Sequence, residues 1–157
     1  MLVYIWKEKG ENEMEKAIWF DMDGTIANLY AVENWLPKLR SENPSPYAEA
    51  QPLVRMASLA RVLNKLQKNG YKIGIISWLS KNGSENYGKA VATAKREWLA
   101  CHLKSVRFDY IDIVAYGTPK QNGRNGILFD DEEQNRNAWN GKAYDVNNII
   151  EILKGLK

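Results

Sequence analysis

Short apolar runs alternate along the chain with stretches whose apolar residues recur every three or four positions, the pattern of a sheet with helical crossovers. Ala17-Ile18-Trp19-Phe20 stops at Asp21 and predicts a buried strand. Tyr71-Lys72-Ile73-Gly74-Ile75-Ile76, ending at Ser77, predicts a second. Ile111-Asp112-Ile113-Val114-Ala115-Tyr116, broken by Gly117, predicts a third, and Gly126-Ile127-Leu128-Phe129, ending at Asp130, a fourth. Lys142-Ala143-Tyr144 is a weaker fifth. Between them, Leu53, Met56, Leu59/Ala60, Leu63 and Leu66 share one helical face, which Asn69-Gly70 terminates. Tyr87, Val91, Ala94, Trp98 and Cys101 form a second buried stripe behind Ser84, a residue suited to an N-cap. Val146, Ile149, Ile150, Leu153 and Leu156 predict a last helix starting near Asp145. The expected fold is α/β, a Rossmann-like parallel sheet flanked by helices, with residues 1–157 as a single domain. The stretch 27–52 holds Pro37, Pro44, Pro46 and Pro52 and interrupts the alternation, so it reads as a small insertion after the first strand. It has room for one or two helical turns, such as Ala31–Leu39, but not for a core of its own. Residues 1–13 precede the first strand and receive no assignment.

At 157 residues the chain has the usual size of one domain, and folding should remove roughly 70% of its surface from water without a covalent staple. The balance of 22 basic against 19 acidic residues, +3, is too small to imply a nucleic-acid partner, and it does not exclude one. No apolar run approaches the ~20 residues of a membrane span. The N-terminus lacks the apolar core and small-residue cleavage site of a secretion signal. One cysteine, Cys101, permits no internal disulfide, and with His102 as the sole histidine it cannot build a Cys/His zinc site. A Ser-His-Asp triad would need His102, which lies in a helical pattern with no serine motif beside it. The expected setting is a reducing cytoplasm. Oligomeric state is not written in these features.

Four polar signals follow the apolar runs: Asp21-Met22-Asp23-Gly24-Thr25, then Ser77, then Lys120, then Asp130-Asp131. In a parallel α/β sheet the carboxyl ends of the strands form the ligand crevice, so these groups should converge. Carboxylates converging without histidine or cysteine repel one another unless a hard cation joins them. Mg²⁺ suits such a site because it prefers oxygen ligands and keeps waters that a phosphate can replace. A serine hydroxyl and a lysine ammonium beside it are suited to hold phosphate oxygens. This chemistry points to phosphoryl transfer on a small phosphorylated substrate. Ser80 competes with Ser77 for that role, and Lys81 and Lys104 with Lys120, although neither lysine follows the third strand.

The Asp21–Thr25 stretch DMDGT, with Ser77, Lys120 and Asp130-Asp131 in that order, resembles the four motifs of the haloacid dehalogenase (HAD) superfamily of Mg²⁺-dependent phosphatases. Lys95-Arg96-Glu97-Trp98-Leu99 with His102-Leu103, the Lys120-to-Asp130 spacing and the LFDD ending resemble its 5′(3′)-deoxyribonucleotidase-like branch, the type C 5′-nucleotidases. The resemblance implies an HAD-like fold and a 5′-nucleotidase-like activity through an aspartyl-phosphate. It makes Asp21 the nucleophile and Asp23 the general acid/base, with Ser77 and Lys120 binding and neutralising the phosphoryl group. It assigns the metal to Asp21, Asp23 through its backbone carbonyl, Asp130 and Asp131, with the direct ligand of the last two left open. Gly24 and Thr25 belong to the substrate-binding turn, Gly24 bringing backbone N–H groups toward the phosphate. Trp78 and Trp35 offer faces to a base or sugar, as does Tyr47, whereas Trp19 and Trp98 fit core positions. Family members carry a cap where residues 27–52 lie; one this short predicts a partly open site. Two other readings stand beside this one: a phosphatase of nucleic-acid 3′ ends, and a non-catalytic HAD-like binding module.

Overall fold

The computed structural model describes residues 15–157. Five strands form an all-parallel sheet: β1 (Ala17–Phe20), β4 (Lys72–Trp78), β5 (Tyr110–Val114), β6 (Ile127–Phe129) and β7 (Lys142–Tyr144), in the spatial order β5-β4-β1-β6-β7. The chain runs outward from β1 through β4 to β5, then crosses back to β6 on the other side of β1. That reversal is a topological switch point at the central strand, the place where open α/β sheets form their ligand crevice. Two short strands, β2 (Ala27–Asn28) and β3 (Gln51–Pro52), pair antiparallel and close the neck of the insertion. Between them lie a 3₁₀ turn (Leu29–Ala31) and two short helices, α1 (Trp35–Arg40) and α2 (Ser45–Glu49).

β1 is apolar throughout because both of its faces are covered. Ile18 and Phe20 face the larger core, which they share with Ile73 and Ile75 of β4 and with Leu59 and Leu63 of α3 (Met56–Lys68). Trp98 and Leu99 of α4 (Glu85–His102) and Ile149 and Leu153 of α6 (Ile149–Lys154) close that core. Ala17 and Trp19 alternate to the opposite face with Ile76, Leu128 and Trp139. Position 74 must be glycine for this packing, because a Cβ there would lie 2.6 Å from the Trp19 ring. Trp139 follows the short helix α5 (Glu133–Ala138).

The predicted strands all form, with ends displaced by one or two residues. Ser84 caps α4 as expected, its Oγ accepting from the Tyr87 N–H at 3.1 Å. Three expectations need correction. Leu53 is exposed and precedes α3, since its N–H donates to the Ile26 carbonyl at 2.8 Å and ties it to the insertion neck. Cys101 is exposed rather than part of the buried stripe. The buried face of α4 contains Val91, Lys95, Trp98 and Leu99, and a helix turning 3.6 residues per turn carries position 101 past its edge. The insertion forms its helix over Trp35–Arg40 rather than Ala31–Leu39, because Asn34 takes a left-handed backbone (φ 57) and breaks the path. Among the described residues no helix is long and apolar enough to cross a membrane. Residues 1–13 lie outside those described.

Candidate active site

Asp21 sits where β1 ends, its N–H donating to the Phe129 carbonyl of β6 at 2.9 Å. The chain then turns tightly around the Met22 carbonyl, which accepts from the N–H groups of Thr25, Ile26 and Ala27 at 3.0 Å each. Met22 enters the main core while Asp21 and Asp23 face a cleft of about 590 Å³. Gly24 has φ +83, and an added Cβ would stand 2.4 Å from Asp131 Oδ2, so both conformation and space demand glycine. Its own N–H is used by the Ala27 carbonyl at 2.9 Å rather than presented to the cleft.

The acidic groups gather around this turn. Carboxylate oxygens of Asp21, Asp130 and Asp131 all lie within 4.8 Å of one another. Lys120 Nζ donates to Asp21 Oδ1 at 2.9 Å and to Asp130 Oδ2 at 2.8 Å. Thr25 Oγ1 donates to Asp21 Oδ2 at 2.9 Å and accepts from the Asp131 N–H at 3.2 Å. Thr25 is fully buried and braces the two carboxylates from beneath. Asp130 is held further by the Glu132 N–H at 2.9 Å and Asn135 Nδ2 at 3.2 Å.

Burial and the neighbouring Asp21 charge push Asp130 up to about 6, against the opposing pull of Lys120. Burial, Asp21 and Asp130 together push Asp131 up to about 7. Burial also raises Asp23, outweighing the attraction of Lys95. Burial would lower Lys120, but the two carboxylates beside it hold it above the usual lysine value, so it stays charged. These shifts describe negative charge in excess of its compensation. Four carboxylates (Asp21, Asp23, Asp130, Asp131) supply −4 and two ammoniums (Lys95, Lys120) supply +2, leaving −2. An all-oxygen donor set with that deficit fits a hard divalent cation.

The two lysines approach from opposite faces of the sheet. Lys120 belongs to the connection between β5 and β6, which passes over the Trp19 face. Three indoles hold that loop: Trp78 Nε1 donates to the Thr118 carbonyl at 2.8 Å, Trp19 Nε1 to Asn125 at 3.0 Å and Trp139 Nε1 to Gly126 at 3.0 Å. Arg124, paired with Asp112 at 2.9 Å, adds a fourth tie. Lys95 comes from α4 on the other face and is 1% exposed. It meets Asp23 Oδ2 at 2.9 Å, Ser77 Oγ at 2.7 Å and the Trp78 carbonyl at 2.7 Å. Its signal in the sequence was a lone lysine inside an otherwise apolar helical stripe, four residues after Val91 and four before Leu99.

The site therefore unites Asp21, Asp23, Lys120, Asp130 and Asp131, with Ser77 joined through Lys95. Ser77 is buried behind the cleft, and Ser80, not Ser77, lines it. Trp78 and Trp35 both line the cleft, each in an aromatic pair. Trp35 meets Tyr30 edge-on at 5.0 Å, and Trp78 is tilted against Tyr116 at 5.1 Å. Tyr47 also lines the cleft, largely buried, with its hydroxyl engaged by Ser80. No family model matches the chain, and no curated protein does.

Proposed function

We propose that the protein is a Mg²⁺-dependent phosphatase of the HAD type that hydrolyses a small phosphomonoester, a nucleotide being the preferred class, through an aspartyl-phosphate on Asp21. In this reading residues 1–157 are one HAD-like domain and 27–52 its cap. The observation that carries it is the separation of two aspartates only two positions apart. Asp21 belongs to the acidic triad and is tied to Lys120, whereas Asp23 is tied to Lys95 from the other face. One carboxylate thus stands at the cation site, and the other stands free of it to carry a proton.

Asp21 attacks phosphorus as the bond to the leaving oxygen breaks, and Asp23 delivers its proton to that oxygen. Asp23 then takes a proton from water, which attacks the aspartyl-phosphate at phosphorus and frees Asp21 and phosphate. Burial raises Asp23, which favours the protonated form needed for the first step. Lys120 fixes the plane of Asp21 and offsets charge as the anionic phosphoryl group arrives. Mg²⁺, held by Asp21, Asp130 and Asp131 with the Asp23 carbonyl, would supply further charge stabilisation of the phosphoryl oxygens. The paired aromatics, Tyr30 with Trp35 and Trp78 with Tyr116, support a substrate with a flat ring or sugar face.

Phosphate release from nucleoside, sugar and nucleic-acid phosphates, with Mg²⁺ and with EDTA, tests the reading. Asp21→Asn keeps the shape and removes the attacking anion, so turnover should fall roughly a thousandfold or more while the fold survives. Substantial turnover by the folded Asp21→Asn variant, or full activity in EDTA, overturns it.

A further inference from the structure

The ammonium of Lys95 has three N–H bonds, and each has an acceptor: Asp23 Oδ2 at 2.9 Å, Ser77 Oγ at 2.7 Å and the Trp78 carbonyl at 2.7 Å. No donor remains for a substrate. Tyr47 of the insertion closes the remaining side, with its ring centroid 5.1 Å from Nζ. A buried cation saturated in this way fixes its acceptors relative to one another, because tetrahedral nitrogen directs its three protons along set axes. The Trp78 carbonyl belongs to the hydrogen-bonded strand β4, so it anchors the other two.

Two consequences follow. The Asp23 carboxylate, which lines the cleft, cannot rotate freely, since its Oδ2 is pinned. Ser77 Oγ accepts from Lys95, so its own proton points elsewhere, and among the described residues that hydroxyl donates to none.

Resting on the phosphatase reading above, we infer that Lys95 is a positioning residue for the reaction, aiming the Asp23 carboxyl at the leaving oxygen. Lys95 itself acts through Asp23, with no donor left for the substrate. This role goes beyond ion pairing, because a merely structural lysine would affect all substrates equally.

The test compares p-nitrophenyl phosphate, whose leaving group departs without a proton, with glycerol phosphate, whose alkoxide needs one. Lys95→Met keeps the apolar stem and removes the charge. Its kcat on glycerol phosphate should fall roughly a hundredfold, in the range of a misplaced general acid, with a several-fold smaller loss on p-nitrophenyl phosphate. In an Asp23→Asn background the same substitution should cost little more on glycerol phosphate, since both act through one proton transfer. If Lys95→Met gives no cooperative melt, Lys95→Arg replaces it; a planar fork can pair Asp23 but cannot reproduce the three-acceptor geometry, so the same split is expected. An active wild type whose folded variant loses equal factors on both substrates, or whose losses add to those of Asp23→Asn, overturns the role of Lys95 alone. A wild type inactive on every phosphomonoester with Mg²⁺ overturns the phosphatase reading and this role with it.

Discussion

At the scale of single residues, close contacts and paired hydrogen bonds leave some positions little freedom to change. Gly24 is one. Substituting alanine forces a side chain into a left-handed backbone, costing about 1–2 kcal/mol, and drives its Cβ into Asp131 Oδ2. Gly24→Ala should lower the melting temperature and weaken divalent-cation binding, read by calorimetric titration. Asp109 is another, away from the chemistry. Its N–H donates to the Ile73 carbonyl and its Oδ2 accepts from the Ile73 N–H, both at 2.8 Å, so one residue supplies two rungs at the β4 edge. Burial would raise this carboxyl, but the Ile73 and Gln67 hydrogen bonds with the Arg107 and Lys72 charges outweigh it and hold it below the usual value. A carboxyl lowered on folding contributes stability above its unfolded value and loses it as pH falls through the folded one. Asp109→Asn should therefore lower the melting temperature at pH 7. The gap between the two thermal melts should close below about pH 4.

At the scale of elements, the insertion is bound tightly to the helix beside it. Trp98 Nε1 donates to the Ala50 carbonyl at 2.7 Å and the Tyr87 hydroxyl to Asn43 at 3.0 Å; Glu42 pairs with Ser84. α1 and α2 therefore form a wall fixed to α4 rather than a separate body. Trp35, carried on that wall, is half-buried and meets the cleft. Trp35→Ala should raise KM for a nucleotide several-fold while leaving KM for p-nitrophenyl phosphate within about twofold, because binding of the leaving group is what it removes. Equal responses on both substrates would make Trp35 structural. Steady-state kinetics on the two substrates decides the matter.

At the scale of the whole molecule, the excess negative charge at the cleft should couple stability to a divalent cation. Asp130 and Asp131 are raised by folding to about 6 and about 7, and a carboxyl raised on folding stabilises the protein when protonated and loses that contribution as pH rises through the folded value. The metal-free protein should melt at a higher temperature at pH 5 than at pH 8. Mg²⁺ should lift the pH 8 melt and have little effect at pH 5, since the ligands must be deprotonated to bind it. Differential scanning calorimetry at both pH values, with Mg²⁺ and with EDTA, measures this. Ca²⁺ should also raise the pH 8 melt, yet its looser coordination should not support turnover.

The five strands, helices α3, α4 and α6 and the position of the insertion were legible in the sequence because each depends on local periodicity and on stop residues. The polar residues after the apolar runs also indicated which end of the sheet would carry charge, since a buried strand must shed its polar groups at its ends. The triad of Asp21, Asp130 and Asp131 was legible in the placing of aspartates after two apolar runs, as a set of carboxylates that could hold a cation. Partner choice was not. Whether Asp23 would join the triad or turn to Lys95 depends on which face α4 packs against. Thr25 beneath the carboxylates, Ser77 behind the cleft and Cys101 on the surface are outcomes of the same kind. Alternation and helical period set the directions in which side chains leave the backbone; only the docking of one element on another determines what they meet.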